Sequence, residues 1–183
     1  RAGDANALNN RGNILREMKR FDEALASYDR ALASRPDYID AINNRGVTLG
    51  ELGRDDEALA SFERVLAARP NDAEALGNCG NLLHKMGRFD EALERYDRAL
   101  AARPNYPETF YNRGAALRAL ERFDEALASY DRALALRPNY AEAHNNRGNV
   151  LQELKRPEEA LASYDRALVL QSEPRSIDRF IRR

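Results

Sequence analysis

Asparagine recurs every 34 residues at Asn10, Asn44, Asn78, Asn112 and Asn146. Asn9, Asn43 and Asn145 stand beside this row, and Asn13, Asn81 and Asn149 lie one helical turn further on. A carboxamide carries one acceptor and two N–H donors, the complement of a peptide C=O and N–H. A row of them can grip an extended chain whatever its side chains. Asparagine is a mediocre helix former, because its amide competes for backbone bonds, so its repeated use inside a helix needs a reason. Either the amides hold a ligand or they bridge neighbouring helices.

Arginine forms rows of the same period: Arg20, Arg54, Arg88, Arg122 and Arg156, and Arg30, Arg64, Arg98, Arg132 and Arg166. Such rows suit a phosphate-binding surface. Acidic rows accompany them, Asp29, Glu63, Asp97, Asp131 and Asp165 among others, so the favoured expectation is a solvated face of paired charges. A third row, Arg11, Arg45, Arg113 and Arg147, is expected to lay its stems over apolar surface and send its heads to a carboxylate such as Asp29. Nothing in the pattern suits catalysis. His84 and His144 stand apart from any Cys or carboxylate cluster at ligand spacing, and Cys79, the one cysteine, is expected to be a buried thiol. No metal and no cofactor are expected.

The elements that position these residues are helices. Gly12, Gly46, Gly80, Gly114 and Gly148 keep the 34-residue period, as do Ala24, Ala58, Ala92, Ala126 and Ala160. An aromatic follows four residues after each alanine: Tyr28, Phe62, Tyr96, Tyr130 and Tyr164. Pro36, Pro70, Pro104 and Pro138 end the first four units, and proline cannot continue a helix. The boundaries read 5–38, 39–72, 73–106, 107–140 and 141–174. Within a unit, apolar residues at i, i+3, i+4, i+7 steps predict two helices, A and B. Asp22-Glu23 and its equivalents put acid in the first turn of helix B, where the macrodipole favours it. One such hairpin cannot bury its apolar face alone, but stacked neighbours can. The expected fold is therefore all-α, an α-solenoid of five helix–turn–helix repeats in a single domain, 1–183. A tail at 175–183, with Ile177, Phe180 and Ile181 at helical spacing, is expected to be a capping or truncated helix.

The period, the glycine, the Ala–x3–aromatic step, the second alanine and the closing proline together resemble the tetratricopeptide repeat. The departures are local. Leu8, Ile42, Leu76, Phe110 and His144 stand where the family often has tryptophan, and the Arg11 row with Cys79 stands where it often has leucine. The resemblance implies a right-handed superhelix whose A helices line a concave groove for peptides or protein segments. The asparagine row is similar to the asparagine ladder in the superhelix of O-linked N-acetylglucosamine transferases. On that likeness Asn10, Asn13, Asn44, Asn78, Asn81, Asn112, Asn146 and Asn149 are candidate peptide-binding residues. Other members of the family clamp a C-terminal carboxylate with Lys and Arg. Here the matching face carries Asn6, Asp40, Glu74, Glu108 and Glu142, which argues against that chemistry.

The net charge of −1 argues against a dedicated nucleic-acid or polybasic membrane surface, and no apolar run approaches the ~20 residues of a membrane span. A lone cysteine fits a reducing compartment, so the expected location is cytoplasmic. The chain begins at Arg1, without Met or a visible signal sequence, which suggests excision from something longer. The expected role is a non-enzymatic scaffold that binds a protein or peptide partner, as a monomer or with weak end-to-end self-association. Two alternatives stay open: a recognition arm of a larger, glycosyltransferase-like enzyme, and an engineered repeat of consensus type.

Overall fold

The computed structural model describes residues 2–172, with side chains from residue 5 onward. The described residues form ten helices: α1 (Ala2–Glu17), α2 (Phe21–Ser34), α3 (Ile39–Glu51), α4 (Asp55–Ala68), α5 (Ala73–Lys85), α6 (Phe89–Ala102), α7 (Pro107–Ala119), α8 (Phe123–Leu136), α9 (Ala141–Glu153) and α10 (Pro157–Ser172). Odd-numbered helices are the A helices and even-numbered ones the B helices. No strand occurs among the described residues. The fold is an all-α solenoid of stacked helical hairpins. It divides into two compact units, Arg1–Pro104 with three hairpins and Asn105–Arg183 with two. The tail at 175–183 lies outside the described residues.

Each hairpin closes in the same way. The residue after helix A's last turn takes a left-handed conformation at Lys19, Gly53, Gly87, Glu121 and Lys155, with φ between 58° and 76°. That geometry lets two following amides turn back to the helix. In α3, Gly53 N donates to Gly50 O at 3.2 Å and Arg54 N to Leu49 O at 2.9 Å, which satisfies carbonyls that the helix end would leave orphaned. Helix B then opens with an arginine and, three residues on, a glutamate. Arg20 chelates Glu23 through Nε and Nη2 at 2.6 and 2.7 Å. The same fork recurs at Arg54–Glu57, Arg88–Glu91, Arg122–Glu125 and Arg156–Glu159.

Helices A and B meet at a glycine against a ring. A Cβ at Gly46 would fall 2.8 Å from the Phe62 ring, and one at Gly80 2.6 Å from the Tyr96 ring. Gly114 and Gly148 meet Tyr130 and Tyr164 in the same way. Gly12 and Ala24 are small residues that the sequence places where helices A and B of a unit approach closely; there Gly12 accommodates the Tyr28 ring, and Leu15 and Ala24 cluster with it. Between hairpins the alanine of helix B sits in the seam: Ala31 clusters with Ala5 and Ala41. Val65 in the same column packs with Ile42, Leu66, Ala75, Leu76 and Ala99. Leu161 and Leu168 occupy columns that are covered in earlier repeats and are exposed on α10, because no described helix follows it.

Candidate functional site

The candidate residues all lie on A helices, and hydrogen bonding divides them into two groups. Asn13, Asn81 and Asn149 turn toward helix B of their own hairpin. Each accepts from the hydroxyl of the tyrosine under the glycine: Tyr28 to Asn13 at 2.8 Å, Tyr96 to Asn81 at 2.9 Å and Tyr164 to Asn149 at 2.8 Å. For Tyr28 and Tyr96, which are fully buried, the amide pairs a hydroxyl that burial would otherwise leave without a partner; the Tyr164 hydroxyl also reaches Gln152 Oε1 at 2.8 Å. In the second repeat both partners are apolar, Val47 and Phe62. In the fourth, Ala115 replaces the asparagine but Tyr130 keeps its hydroxyl, and that buried oxygen has no partner.

Three residues of the main row reach a neighbouring A helix. Asn44 Nδ2 donates to Asn9 Oδ1 at 3.0 Å, and Asn78 Nδ2 to Asn43 Oδ1 at 3.2 Å. Asn43 Nδ2 continues the chain to Glu74 Oε1 at 2.8 Å. In the second unit Asn146 Nδ2 donates to the Tyr111 hydroxyl at 3.0 Å. Asn44, Asn78 and Asn146 therefore bridge A helices, one of the two roles weighed for the row from sequence. Each bridge takes one of the three hydrogen-bonding functions of its donor amide. Asn44, Asn78, Asn112 and Asn146 are half-buried, so part of each reaches the surface, and Asn10 is exposed.

Two cavities open on this face of the first unit. One, of about 260 Å³, is lined by Asn9, Asn13, Asn43 and Asn44 with the carboxylates of Asp40, Asp72 and Glu74. The other, of about 210 Å³, is lined by Val47, Gly50, Phe62 and Leu82 with Asn78 and Asn81. In the second unit the face carries aromatic rings: Tyr111 lies 5.0 Å from Tyr140 and 5.9 Å from Tyr130, centroid to centroid. Burial pushes the Tyr140 phenol up to about 12, so it remains a neutral donor across physiological pH. His84 packs edge-on against Phe89 at 5.2 Å. His144 Nε2 lies 2.9 Å from Pro138 O.

The arginine rows have structural partners. The turn row is held in the Arg–Glu forks. On helix B, Arg98 donates to Pro70 O at 2.9 Å and Arg64 to Pro36 O, which holds the turn of the preceding repeat. Arg45 donates to Asp29 at 2.7 Å and Arg147 to Asp131 at 2.6 Å, each reaching back one repeat as the carboxylate expectation requires. A second partner was not legible beforehand: Arg45 also meets Ser61, Arg113 meets Ser129 and Arg147 meets Ser163, at 3.2, 2.7 and 2.6 Å. Arg11 meets Ser27. The signal was the serine column itself. In the third repeat the two positions exchange character: Cys79 takes the arginine's place and Arg95 the serine's. Arg95 then donates to Glu63 at 2.9 Å, so the contact to the preceding repeat survives from the other helix.

Profiles described as tetratricopeptide repeat match residues 3–71, 61–94 and 141–174, and one described as TPR repeat matches 80–120 and 114–155. The chain belongs to the tetratricopeptide repeat family. Among solved structures, this tetratricopeptide repeat protein is similar to MamA residues 41–end from Desulfovibrio magneticus RS-1, with a TM-score of 0.82 at 22% identity, covering 96% of this chain and 98% of that one. A second MamA crystal structure gives 0.80 at 18%, covering 100% of both chains. These likenesses show the fold. No curated protein matches the sequence. As a tandem tetratricopeptide array the chain is a protein-interaction scaffold. Among the described residues no helix is long and apolar enough to cross a membrane, and no three His, Cys, Asp or Glu side chains gather where they could hold a metal ion.

Proposed function

We propose that this scaffold binds an extended segment of a partner protein along its A-helix face, with the asparagine row as the backbone grip. The observation that carries this is the state of the amides. Asn44 and Asn78 each give one N–H to the neighbouring A helix and stay half-buried at the lip of a cavity. Bridging fixes the orientation of each amide and leaves its carbonyl and second N–H to meet a peptide. A preoriented group loses less rotamer freedom on binding than a free one. Because the groups are neutral, they read the backbone that all partners share, and the amides' own share of the binding should depend little on salt.

The bridging role and the gripping role are separated by one variant pair. Asn44→Ala and Asn78→Ala are each expected to weaken partner binding by about 0.5–1.5 kcal/mol, the net worth of a hydrogen bond. The loss should be alike for partners of unrelated side chains. Melting and affinity are measured on the same proteins. Lower melting temperature with unchanged affinity would mean that the amides only tie helices together.

A further inference from the structure

Three of the columns at which the second repeat departs from its neighbours meet at one spot. Val47 stands in the column of Asn13, Asn81, Ala115 and Asn149; Gly50 in that of Arg16, His84, Arg118 and Gln152; Phe62 in that of four tyrosines. Together with Leu82 they line the cavity of about 210 Å³ between α3 and α5. Gly50 is the informative residue. A Cβ there would lie 3.6 Å from Leu82 Cδ1 and 3.9 Å from Ala58 Cβ, ordinary contact distances. The repeat glycines, by contrast, would drive a Cβ into a ring. Glycine inside a helix costs about 0.5–1 kcal/mol relative to alanine, and packing gives no reason for it at this position. What it does is keep the notch open.

We propose that this notch is a specificity pocket for one aliphatic side chain of the partner segment, a refinement that rests on the A-helix reading above. The volume is below the roughly 300–1,000 Å³ of small-molecule sites, and it suits a single side chain. The neighbouring cavity sets the rest of the ligand. It presents Asp40, Asp72 and Glu74 beside Asn44, so the charge that complements it is basic. On the notch side, Lys85 is held at 2.7 Å by Asp55 and at 2.9 Å by Gly50 O, which leaves Glu51 at the rim as a further acid. Asp40 and Val47 are seven residues apart on α3, about 10 Å at ~1.5 Å per residue. An extended chain covers that in about three residues. The occupant is therefore an extended segment with a Lys or Arg about three residues from a Leu, Ile, Val or Met, its backbone passing Asn44.

The probes are ten-residue Ser/Ala peptides with one Lys and one Leu at varied separation, and counterparts with Ser for Leu or Glu for Lys, read by fluorescence anisotropy. The wild-type chain should prefer Leu over Ser by about tenfold or more at a separation near three. Gly50→Gln, which installs the residue of the fifth repeat's column, should erase that preference without weakening the Ser peptide's binding, and the melting temperature should hold or rise, since a helical glycine is replaced. Val47→Asn should act likewise, and Lys→Glu in the peptide should weaken binding. An undiminished Leu preference in Gly50→Gln overturns the notch. So does the absence of any Leu preference in wild type; if Asn44→Ala still weakens every peptide, the A-helix grip survives that result. Binding by none of the peptides overturns both.

Discussion

At the scale of single residues, Cys79 and the left-handed turn positions illustrate how local environment sets chemistry. Burial pushes the Cys79 thiol up to about 11, so the neutral form is favoured in the folded chain. A raised folded value gives stability that is full below the unfolded value of about 8.5 and is lost as pH rises through about 11. Wild type should therefore lose denaturant stability between those pH values relative to Cys79→Ala; parallel curves would refute it. At pH 7 the thiol should react with iodoacetamide only as fast as the chain opens. The turn residue Glu121 has φ 58°, which costs a side chain about 1–2 kcal/mol. Gly53 and Gly87 in the same column carry no such cost. Glu121→Gly is expected to raise urea stability by about 1 kcal/mol, and a loss instead would show that the side chain has a contact worth more than the strain.

At the scale of helices, the repeat works by exchanging equivalent contacts. Arg45 on a helix A and Arg95 on a helix B both reach back to an acid of the preceding helix B. Cys79→Arg alone would place a second guanidinium beside Arg95 and should destabilise. Adding Arg95→Ser restores the Arg–Ser pairing seen in the second repeat. The double mutant should recover most of the loss, with a coupling of about 0.5–3 kcal/mol in a double-mutant cycle; strict additivity would mean that the two columns are independent. The glycines give the complementary case. Gly80→Ala sets a Cβ against the Tyr96 ring and should cost about 1–3 kcal/mol by overpacking.

At the scale of the whole molecule, the five Arg–Glu forks act in one direction. Hydrogen bonding to the arginine holds Glu23, Glu57, Glu91, Glu125 and Glu159 below the ordinary carboxylate value. A lowered folded value gives stability above the unfolded value of about 4.3 that is lost as pH falls through the folded one. All five are solvent-exposed, so each contributes little, but the losses coincide. Acid unfolding should shift to higher pH by a small, similar step for each Glu→Gln introduced. Midpoints that do not move with the number of substitutions would show that the forks are ornaments of the surface.

The 34-residue period was enough to establish the ten helices of the described residues, with a buried glycine and alanine in each hairpin and a buried aromatic in the first four, because stacking copies repeats every contact at the same sequence interval. The row of candidate asparagines was legible for the same reason. What each amide does was decided only in three dimensions. Asn13 and Asn44 are chemically alike and only three positions apart in the repeat register, yet one accepts a hydrogen bond from Tyr28 within its hairpin and the other donates to Asn9 on the preceding A helix. The notch at Val47, Gly50 and Phe62 was equally hidden. Each change looks like ordinary drift in its own column, and only packing α3 against α4 and α5 brings the three to one surface point, where removing polar and bulky groups leaves a space.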